Sequence, residues 1–178
     1  MAEIIVDGHK VLVDDDLYPY LSSFDWFVYD GYVIRRATVN GKAKLIRMQR
    51  EVVGCEDPSL EVDHINGNRL DNRRCNLRVC TKSQNLANRT KKDPKATSKY
   101  KGVRYLKTHG YYQVRVTKDK VTYTIGHYTN ELAAANMYNH AARTIHGEFY
   151  RPNDVMYMSV EECEKYRVKG GRKHGKAS

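Results

Sequence analysis

Short apolar runs separated by turn-forming residues fill the first sixty residues of the chain. Residues 3–6 and 10–13 flank an Asp-Gly pair at 7–8, and such a pair between two apolar runs is typical of a β-hairpin. The pattern recurs around the Asp-Gly pair at 30–31, and an Asn-Gly pair at 40–41 marks a third turn. We therefore predict a group of small strands here. Residues 44–53 are predicted to form a helix, and Trp26 is expected to lie in the core.

Residues 60–89 are predicted to form a strand, a loop, a second strand and a helix. An apolar run around Val62 precedes a turn-rich loop at 66–72, where Asn and Gly tolerate the left-handed backbone of tight turns. Residues 76–79 are predicted to be the second strand, and residues 81–88 the helix.

Capping residues mark three helix starts. Thr81 with Gln84, and Ser159 with Glu162, have the spacing of a capping box, which satisfies two backbone N–H groups. Asn130 is a favourable N-cap for another helix.

Three polar side chains of residues 60–89 have useful chemistry. Asp63 offers a carboxylate at a strand end, and Asn85 offers an amide oxygen in the first turn of a helix. Two oxygens leave most of the coordination sphere of a divalent ion open, which suits Mg²⁺ because it keeps waters and takes phosphate oxygens. His64 is a base that exchanges protons near neutral pH. A base beside such an ion is the minimum equipment for phosphodiester hydrolysis.

The same residues resemble the HNH, or ββα-metal, nuclease motif of phage and intron homing endonucleases. The matching letters are D-H-I-N-G-N at 63–68, D-N-R-x-x-N-L at 71–77 and Q-N-x-x-N at 84–88. The resemblance implies that Asp63 and Asn85 ligate one ion, Mg²⁺ or Mn²⁺, and that His64 is the general base. It also implies that Asn76 holds the loop and orients His64.

The function implied by this resemblance is a site-specific, metal-dependent DNA endonuclease of the homing type, expected to nick double-stranded DNA. We expect a monomer, with a dimer as the alternative. Relatives of this type usually have His-Arg in the helix before the motif, where this chain has Gln49 and Arg50. That departure leaves a second hypothesis open, a sequence-specific DNA-binding regulator with a catalytically inactive HNH module.

Positive charge is concentrated after residue 63. The net charge of the chain is +10, with −5 over residues 1–63, +7 over 64–96 and +6 over 97–153. A basic stretch of this kind is typical of a protein that follows a polyanion. Six basic residues are candidate DNA contacts: Arg69, Arg73, Arg74, Arg78, Lys91 and Lys92. Each is equally compatible with a solvated surface.

The sequence contains no sign of secretion or of membrane insertion. The N-terminus lacks the basic start and the long apolar core of a signal peptide, and no apolar run approaches membrane-spanning length. None of the four Cys residues forms a Cys-x-x-Cys pair, which argues against a structural zinc site. We expect a soluble intracellular protein, in the cytoplasm of a phage-infected bacterium if the resemblance extends that far.

Residues 100–149 are predicted to form three strands and a helix. The strands are 100–106, 111–117 and 121–128, and the helix runs from Asn130 to about residue 145, with Gly147 beyond its end. Alternating apolar residues turn one sheet face toward the helix. The other face carries five polar side chains: Arg104, Gln113, Arg115, Thr122 and Thr124. Such a face can enter a major groove, where Arg reads guanine and Gln reads adenine, or can be simply solvated.

This second part resembles the plant ethylene-response-factor, or APETALA-type, DNA-binding domain, which phage HNH nucleases often carry. The match includes Y-K-G-V-R at 100–104, Q-V-R at 113–115, I-G-H-Y at 125–128, E-L-A-A at 131–134 and Y-N-H-A-A at 138–142. Plant members have more Arg and Trp on the sheet face, where this chain has Thr122 and Thr124. The resemblance therefore implies DNA binding but no particular base preference.

Together these predictions describe an α+β fold. Residues 1–88 form an HNH nuclease domain, in which small N-terminal strands support the ββα-metal module. Residues 89–99 form a basic linker. Residues 100–153 form a three-stranded antiparallel sheet packed on one α-helix, and residues 154–178 form a short helix, reaching about residue 167, and a basic tail.

Overall fold

The chain divides into two compact units, each a mixture of strands and helices. The computed structural model describes residues 2–90 and 95–169. The first unit is Met1–Asn88 and the second is Arg89–Ser178. The described strands form four small antiparallel sheets, so the α+β class predicted from the sequence is confirmed.

The first unit begins with the predicted hairpins. β1 (Ala2–Val6) pairs with β2 (His9–Val13), while β3 (Phe27–Tyr29), β4 (Tyr32–Val39) and β5 (Lys42–Arg47) form a three-stranded sheet in that order. Both residues of each connecting turn have positive φ, the geometry that matches the twist of the paired strands.

The helix predicted over residues 44–53 is wrong in its first half. Residues up to Arg47 belong to β5, and the helix α2 spans only Met48–Val52. The Asn-Gly turn at 40–41 folds the chain back along β4, so that Lys44 lies opposite Ala37. Pairing with β4 gives the backbone N–H and C=O groups of these residues their hydrogen-bond partners, so they do not need to form a helix.

The core of the first unit lies between its sheets and the short helices α1 (Tyr18–Leu21) and α2. Its most buried side chains include Val11, Val13, Val33 and Met48. Trp26 is 8 % exposed, and its indole N–H donates to the backbone oxygen of Leu21 at 2.7 Å. Trp26 is therefore a core residue, as predicted.

The HNH-like segment has the predicted order of elements. β6 (Glu61–His64) pairs antiparallel with β7 (Leu77–Cys80), and α3 (Lys82–Asn88) follows and contacts β6. The predicted capping box is present, because the N–H of Gln84 donates to Thr81 Oγ1 and the N–H of Thr81 donates to Gln84 Oε1.

The loop between β6 and β7 is tied to the N-terminal hairpin. The N–H of Leu12 donates to the backbone oxygen of Leu70 at 2.8 Å, and the N–H of Asn72 donates to the backbone oxygen of Leu12 at 2.8 Å. These bonds attach the turn-rich segment to β2, whose Val11 and Val13 are fully buried, and they fix the course of the loop.

The second unit is a three-stranded sheet with one long helix against it. β8 (Val103–Leu106), β9 (Tyr111–Lys118) and β10 (Val121–Tyr128) lie in the order β10-β9-β8, and α4 (Glu131–His146) packs against them. The side chain of Asn130 accepts from the N–H of Ala133, so the predicted N-cap is confirmed. No helix within the described part of the chain is long and apolar enough to cross a membrane.

The last helix, α5 (Val160–Glu164), ends earlier than the predicted residue 167. Beyond it the chain runs along the edge of β10. The N–H of Thr129 donates to the backbone oxygen of Tyr166 at 2.9 Å, and that of Val168 donates to His127 at 2.8 Å. The open edge of β10 has unpaired backbone N–H and C=O groups. Residues 166–168 form hydrogen bonds with these groups and therefore do not continue α5.

Candidate active site

The β6–β7 hairpin carries a buried histidine at the end of its first strand. His64 is 5 % exposed, and its Nε2 lies 3.3 Å from Oδ1 of Asn72. An amide oxygen only accepts hydrogen bonds, so in the neutral imidazole Nε2 carries the proton and Nδ1 keeps the lone pair. The contact therefore makes Nδ1 the basic nitrogen.

Asn72 is fixed in the orientation that this contact requires. Its Nδ2 donates to the backbone oxygen of Arg69 at 3.2 Å, which turns Oδ1 toward His64. The residue is fully buried. The resemblance predicted that Asn76 orients His64 and gave Asn72 no role, although both residues belong to the D-N-R-x-x-N-L block.

Asn76 performs the other part of its predicted role and holds the loop. Its Oδ1 accepts from the N–H of Asn66 at 3.0 Å, and its Nδ2 donates to the backbone oxygen of Asp71 at 2.8 Å. Through these two bonds the buried side-chain amide of Asn76 connects the first residues of the loop with its last ones. The structure therefore divides holding the loop and contacting the imidazole between Asn76 and Asn72.

The environment of His64 favours its neutral form. Burial lowers the pKa of His64 below the ordinary 6.5, and the positive charge of Arg69 lowers it further. The hydrogen bond with Asn72 and the carboxylate of Asp63 raise the pKa, but they do not offset the burial. At neutral pH the imidazole is thus unprotonated at Nδ1 and able to accept a proton.

Asp63, the neighbour of His64, is held on both carboxylate oxygens. Arg78 donates to Oδ2 from Nε at 3.0 Å and from Nη2 at 2.7 Å. Asn88 donates to Oδ1 at 3.0 Å, and the same amide group donates to the backbone oxygen of His64 at 2.9 Å. Asn88 thereby ties α3 to the end of β6.

Asn88 had no predicted role, although the sequence places it on the same side of the helix as Asn85. It follows Asn85 by three residues, and residues three apart lie on the same side of a helix. Asn85 is half-buried, and its Nδ2 donates to Glu61 Oε2. In residues 2–90 no hydrogen bond joins the side chains of Asp63 and Asn85; the helix meets Asp63 through Asn88.

The four arginines proposed to grip DNA from the first unit all have partners within it. Arg73 donates to Asp71 at 2.7 Å, Arg74 to Asp16 at 2.8 Å and Arg78 to Asp63 at 2.7 Å. Arg69 donates to the backbone oxygen of Asp30 at 2.6 Å. These contacts stabilise the loop, and DNA binding by the four residues stays a prediction. Lys91 and Lys92 lie outside the described residues.

Comparison with known proteins identifies the family of this site. Residues 48–87 match the sequence model of a family described as HNH endonuclease. A protein of Acanthamoeba polyphaga mimivirus named as an uncharacterized HNH endonuclease is 32 % identical over 151 residues, which cover 83 % of this chain and 76 % of the relative. The chain belongs to the HNH endonuclease family. No solved structure matches it.

HNH endonucleases generally depend on a divalent ion, and the oxygens at this site are suitable donors. The Asp63 carboxylate and the Asn85 amide oxygen are hard ligands of the kind that Mg²⁺ takes. An ion would displace part of the Arg78 or Asn88 contact with Asp63. In residues 2–90 and 95–169 no three His, Cys, Asp or Glu side chains are arranged to hold a metal.

Gln49, which stands where the resemblance predicts His, has an unsatisfied buried amide oxygen. It is 2 % exposed, and its Oε1 accepts no hydrogen bond from the described residues. An unpartnered buried acceptor costs about 1–3 kcal/mol. The amide oxygen of Gln49 therefore carries a cost that the packing of α2 has to offset.

The second unit of this HNH endonuclease places its predicted DNA contacts on one sheet face. Arg104 on β8 lies opposite Gln113 on β9, and Gln113 lies opposite His127 on β10. The Nε2 atoms of Gln113 and His127 are 3.3 Å apart. A second row pairs Arg115 with Thr124.

His127 was missed because a β-bulge changes which residues of β10 face outward. The pairing register shifts between Thr124 and Gly126, so the strict alternation that assigned Thr122 and Thr124 fails beyond that point. Thr122 lies opposite Thr117, and their hydroxyl oxygens are 2.9 Å apart. The face is thus polar across all three strands.

Proposed function

We propose that this HNH endonuclease is a site-specific, divalent-metal-dependent DNA endonuclease of the homing type that nicks double-stranded DNA. The observation that carries the proposal is the state of His64. Its imidazole is buried, its proton is directed to Nε2 by Asn72, and its pKa is lowered, so Nδ1 is ready to act as a base at neutral pH. Asp63 lies beside it in the same strand.

In this mechanism His64 Nδ1 removes a proton from water as the water oxygen bonds to phosphorus. The bond from phosphorus to the 3′ oxygen breaks, and the 3′ oxygen leaves with the bonding electrons. A divalent ion bound by Asp63 and Asn85 would stabilise the negative charge on the phosphate and the 3′ oxygen. Asn72 keeps the imidazole in its reactive tautomer, and Arg78 and Asn88 fix the Asp63 carboxylate.

The second unit is proposed to be an ethylene-response-factor-like domain that selects the DNA site. Support comes from the row of Arg104, Gln113 and His127 across the three strands. Next to it, Arg115 pairs with Thr124, so the face presents both donors and acceptors. Base edges in a major groove are read by groups of this kind. The first unit then cuts DNA that the second unit has bound.

A plasmid-nicking assay tests the chemistry. We expect nicked circles in the presence of Mg²⁺ and none when EDTA is added. The rate should fall as the pH drops through the pKa of His64, which lies below 6.5, and should level off above it because the base is then unprotonated. A rate that rises as the pH is lowered would contradict a neutral histidine base.

The second candidate is a DNA-binding regulator with an inactive nuclease module, the hypothesis that Gln49 left open in the sequence. This candidate predicts sequence-specific DNA binding with no nicking in either Mg²⁺ or Mn²⁺. The proposed endonuclease predicts both binding and nicking, so the two assays together separate the candidates.

Replacing Arg115 with Ala is expected to weaken site-specific DNA binding by roughly 1–3 kcal/mol, because a guanidinium on the polar sheet face would lose its contacts with a base edge. Arg143→Ala is the matched control, since it removes the same charge from an exposed position on α4, the helix packed on the opposite sheet face. Titration of a labelled duplex measures both. Equal affinities for the two variants would mean that the sheet does not enter the groove.

A further inference from the structure

Two arginine side chains lie over the ring of Tyr32, next to the histidine of the active site. The guanidinium carbon of Arg69 is 4.0 Å from the ring centroid, and that of Arg47 is 4.8 Å from it. The ring centroids of Tyr32 and His64 are 6.4 Å apart. We propose that Arg47, Tyr32 and Arg69, here named the arginine clamp, bind a backbone phosphate of double-stranded DNA beside the scissile bond. This inference rests on the proposed DNA endonuclease function.

The fold fixes both ends of the arginine clamp. Arg69 Nη1 donates to the backbone oxygen of Asp30 at 2.6 Å, and it would lie 3.5 Å from a Cβ on Gly31, so it rests directly on the turn between β3 and β4. Arg47 ends β5 and lies opposite Ile34 on β4. Both guanidinium groups therefore meet Tyr32 from ordered backbone.

Stacking on Tyr32 does not itself use the N–H groups of either guanidinium. A planar guanidinium that packs on an aromatic ring directs its N–H groups sideways, in its own plane. The same edge binds phosphate oxygens through two parallel hydrogen bonds. Tyr32 thus orients the two cations without using their donors. Arg69 Nη1 already donates to the backbone oxygen of Asp30, so Arg69 would bind the phosphate through its other N–H groups.

The charge of the arginine clamp is less compensated than that of its neighbours. Three arginines of the motif segment are within 2.7–2.8 Å of a carboxylate oxygen: Arg73, Arg74 and Arg78. Among the described residues no carboxylate pairs with Arg47. Arg69 reaches the carboxylate of Asp30 only at 3.9 Å, and the side chain of Asp30 is 80 % exposed. Arg47, with no carboxylate partner among the described residues, and Arg69, with only a distant and exposed one, together form a place for an anion beside the base.

The identity of the anion follows from its surroundings. The clamp adjoins His64, the proposed general base, and the positive charge of Arg69 is felt at its imidazole. A phosphate of the cleaved strand is the anion that must come to this place if the base is to act on the backbone. Its binding would neutralise the clamp and position the neighbouring phosphodiester.

Arg47→Ala in the full chain tests the clamp, with Arg36→Ala as the matched control. Arg36 lies on β4 in the same sheet, and its guanidinium carbon is 5.7 Å from the ring of Phe27. Binding to a mixed-sequence duplex is titrated at several salt concentrations with EDTA present. We expect Arg47→Ala to bind about tenfold more weakly, as for the loss of one charge-assisted hydrogen bond. The slope of log affinity against log salt should become shallower by about 0.9, and Arg36→Ala should match wild type.

A second pair of variants separates the clamp from a general effect on folding. Tyr32→Leu removes the ring and should reproduce the Arg47→Ala loss, whereas Tyr32→Phe keeps the ring and should lose clearly less affinity than Tyr32→Leu. The melting temperature of each variant shows whether a loss of affinity comes from a loss of folding. Wild-type affinity and salt slope in both Arg47→Ala and Tyr32→Leu, or an equal loss in Arg36→Ala, would overturn the clamp.

The wild-type protein shows which proposal has failed. If it binds DNA without nicking it, the endonuclease activity is wrong, and a larger loss in Arg47→Ala than in Arg36→Ala still supports the clamp. If it binds no DNA, both proposals are wrong.

Discussion

Replacing His64 with Ala is expected to lower the rate of DNA nicking by about 10²–10⁴-fold, the usual contribution of a positioned general base. The affinity for DNA should stay nearly unchanged, because the imidazole is buried and accepts its proton only during the reaction. Single-turnover nicking with Mg²⁺ measures the rate, and duplex titration with EDTA measures the affinity.

His9→Ala is the control for His64→Ala, since it removes an exposed histidine of β2 in the same unit and should leave both quantities as in wild type. His64→Gln fills more of the buried volume than Ala and should lose the same activity. If His64→Ala lost DNA binding and nicking in equal measure, the histidine would have a structural role and the proposed mechanism would be wrong.

Gly102→Ala is expected to destabilise the second unit by about 2–5 kcal/mol, the combined cost of a left-handed backbone and of overpacking. Gly102 has a φ of +71°, and a Cβ there would lie 2.0 Å from Cδ2 of Tyr138 and 2.7 Å from the backbone oxygen of Arg115. Tyr138 is buried on α4 and the other atom is backbone, so neither can move aside without disturbing the sheet.

Urea unfolding followed by two signals measures this effect. Far-UV circular dichroism reports on both units, whereas the fluorescence of Trp26, the single tryptophan, reports on the first unit. Gly102→Ala should shift the dichroism transition of the second unit and leave the Trp26 transition unchanged. Gly110→Ala is the control, because Gly110 has the same φ of +71° with nothing within 4 Å of its Cβ. It should lose only about 1–2 kcal/mol, and equal losses would contradict the close contact at Gly102.

Much of the fold was readable from local chemistry. Three two-residue turns with Gly predicted the N-terminal hairpins, because only a few residue types adopt positive φ cheaply and because the turn type fixes which residues pair. The helix caps at Thr81, Asn130 and Ser159 were predicted for a similar reason, since a side chain that satisfies a nearby N–H needs no distant partner.

Part of the candidate site was readable in the same way. The three spaced blocks place Asp63 and His64 at the end of a strand, and the HNH family was recognised from them. Asn76, predicted to begin the second strand, lies in a 3₁₀ turn just before β7. The catalytic and metal-binding roles of these residues stay predictions until the variants are measured. The outward face of β9 was also predicted, since side chains of a regular strand alternate.

Local patterns failed where two distant segments compete for the same groups. Residues 44–47 look helical in isolation, but they complete the ladder of β4 once the turn at 40–41 has brought the strands together. Residues 166–168 leave their helix for the edge of β10, and a bulge in β10 turns His127 to the polar face. None of these competitions is visible in a short window of sequence.

The contacts that give the site its chemistry also depend on the tertiary structure. Several Asn and Arg residues of the motif have similar side chains and similar spacing, so the sequence alone could not assign Asn72 to His64, Asn88 to Asp63 or Arg78 to the same carboxylate. Tyr32 and Arg47 come from strands outside the motif, and only the folding of the first sheet brings them beside His64. Turns and helix caps can be predicted from the local sequence, because their hydrogen bonds join residues only a few positions apart. The environment of the histidine is decided by the fold, because it is made of groups from up to 32 positions away along the chain, between Tyr32 and His64.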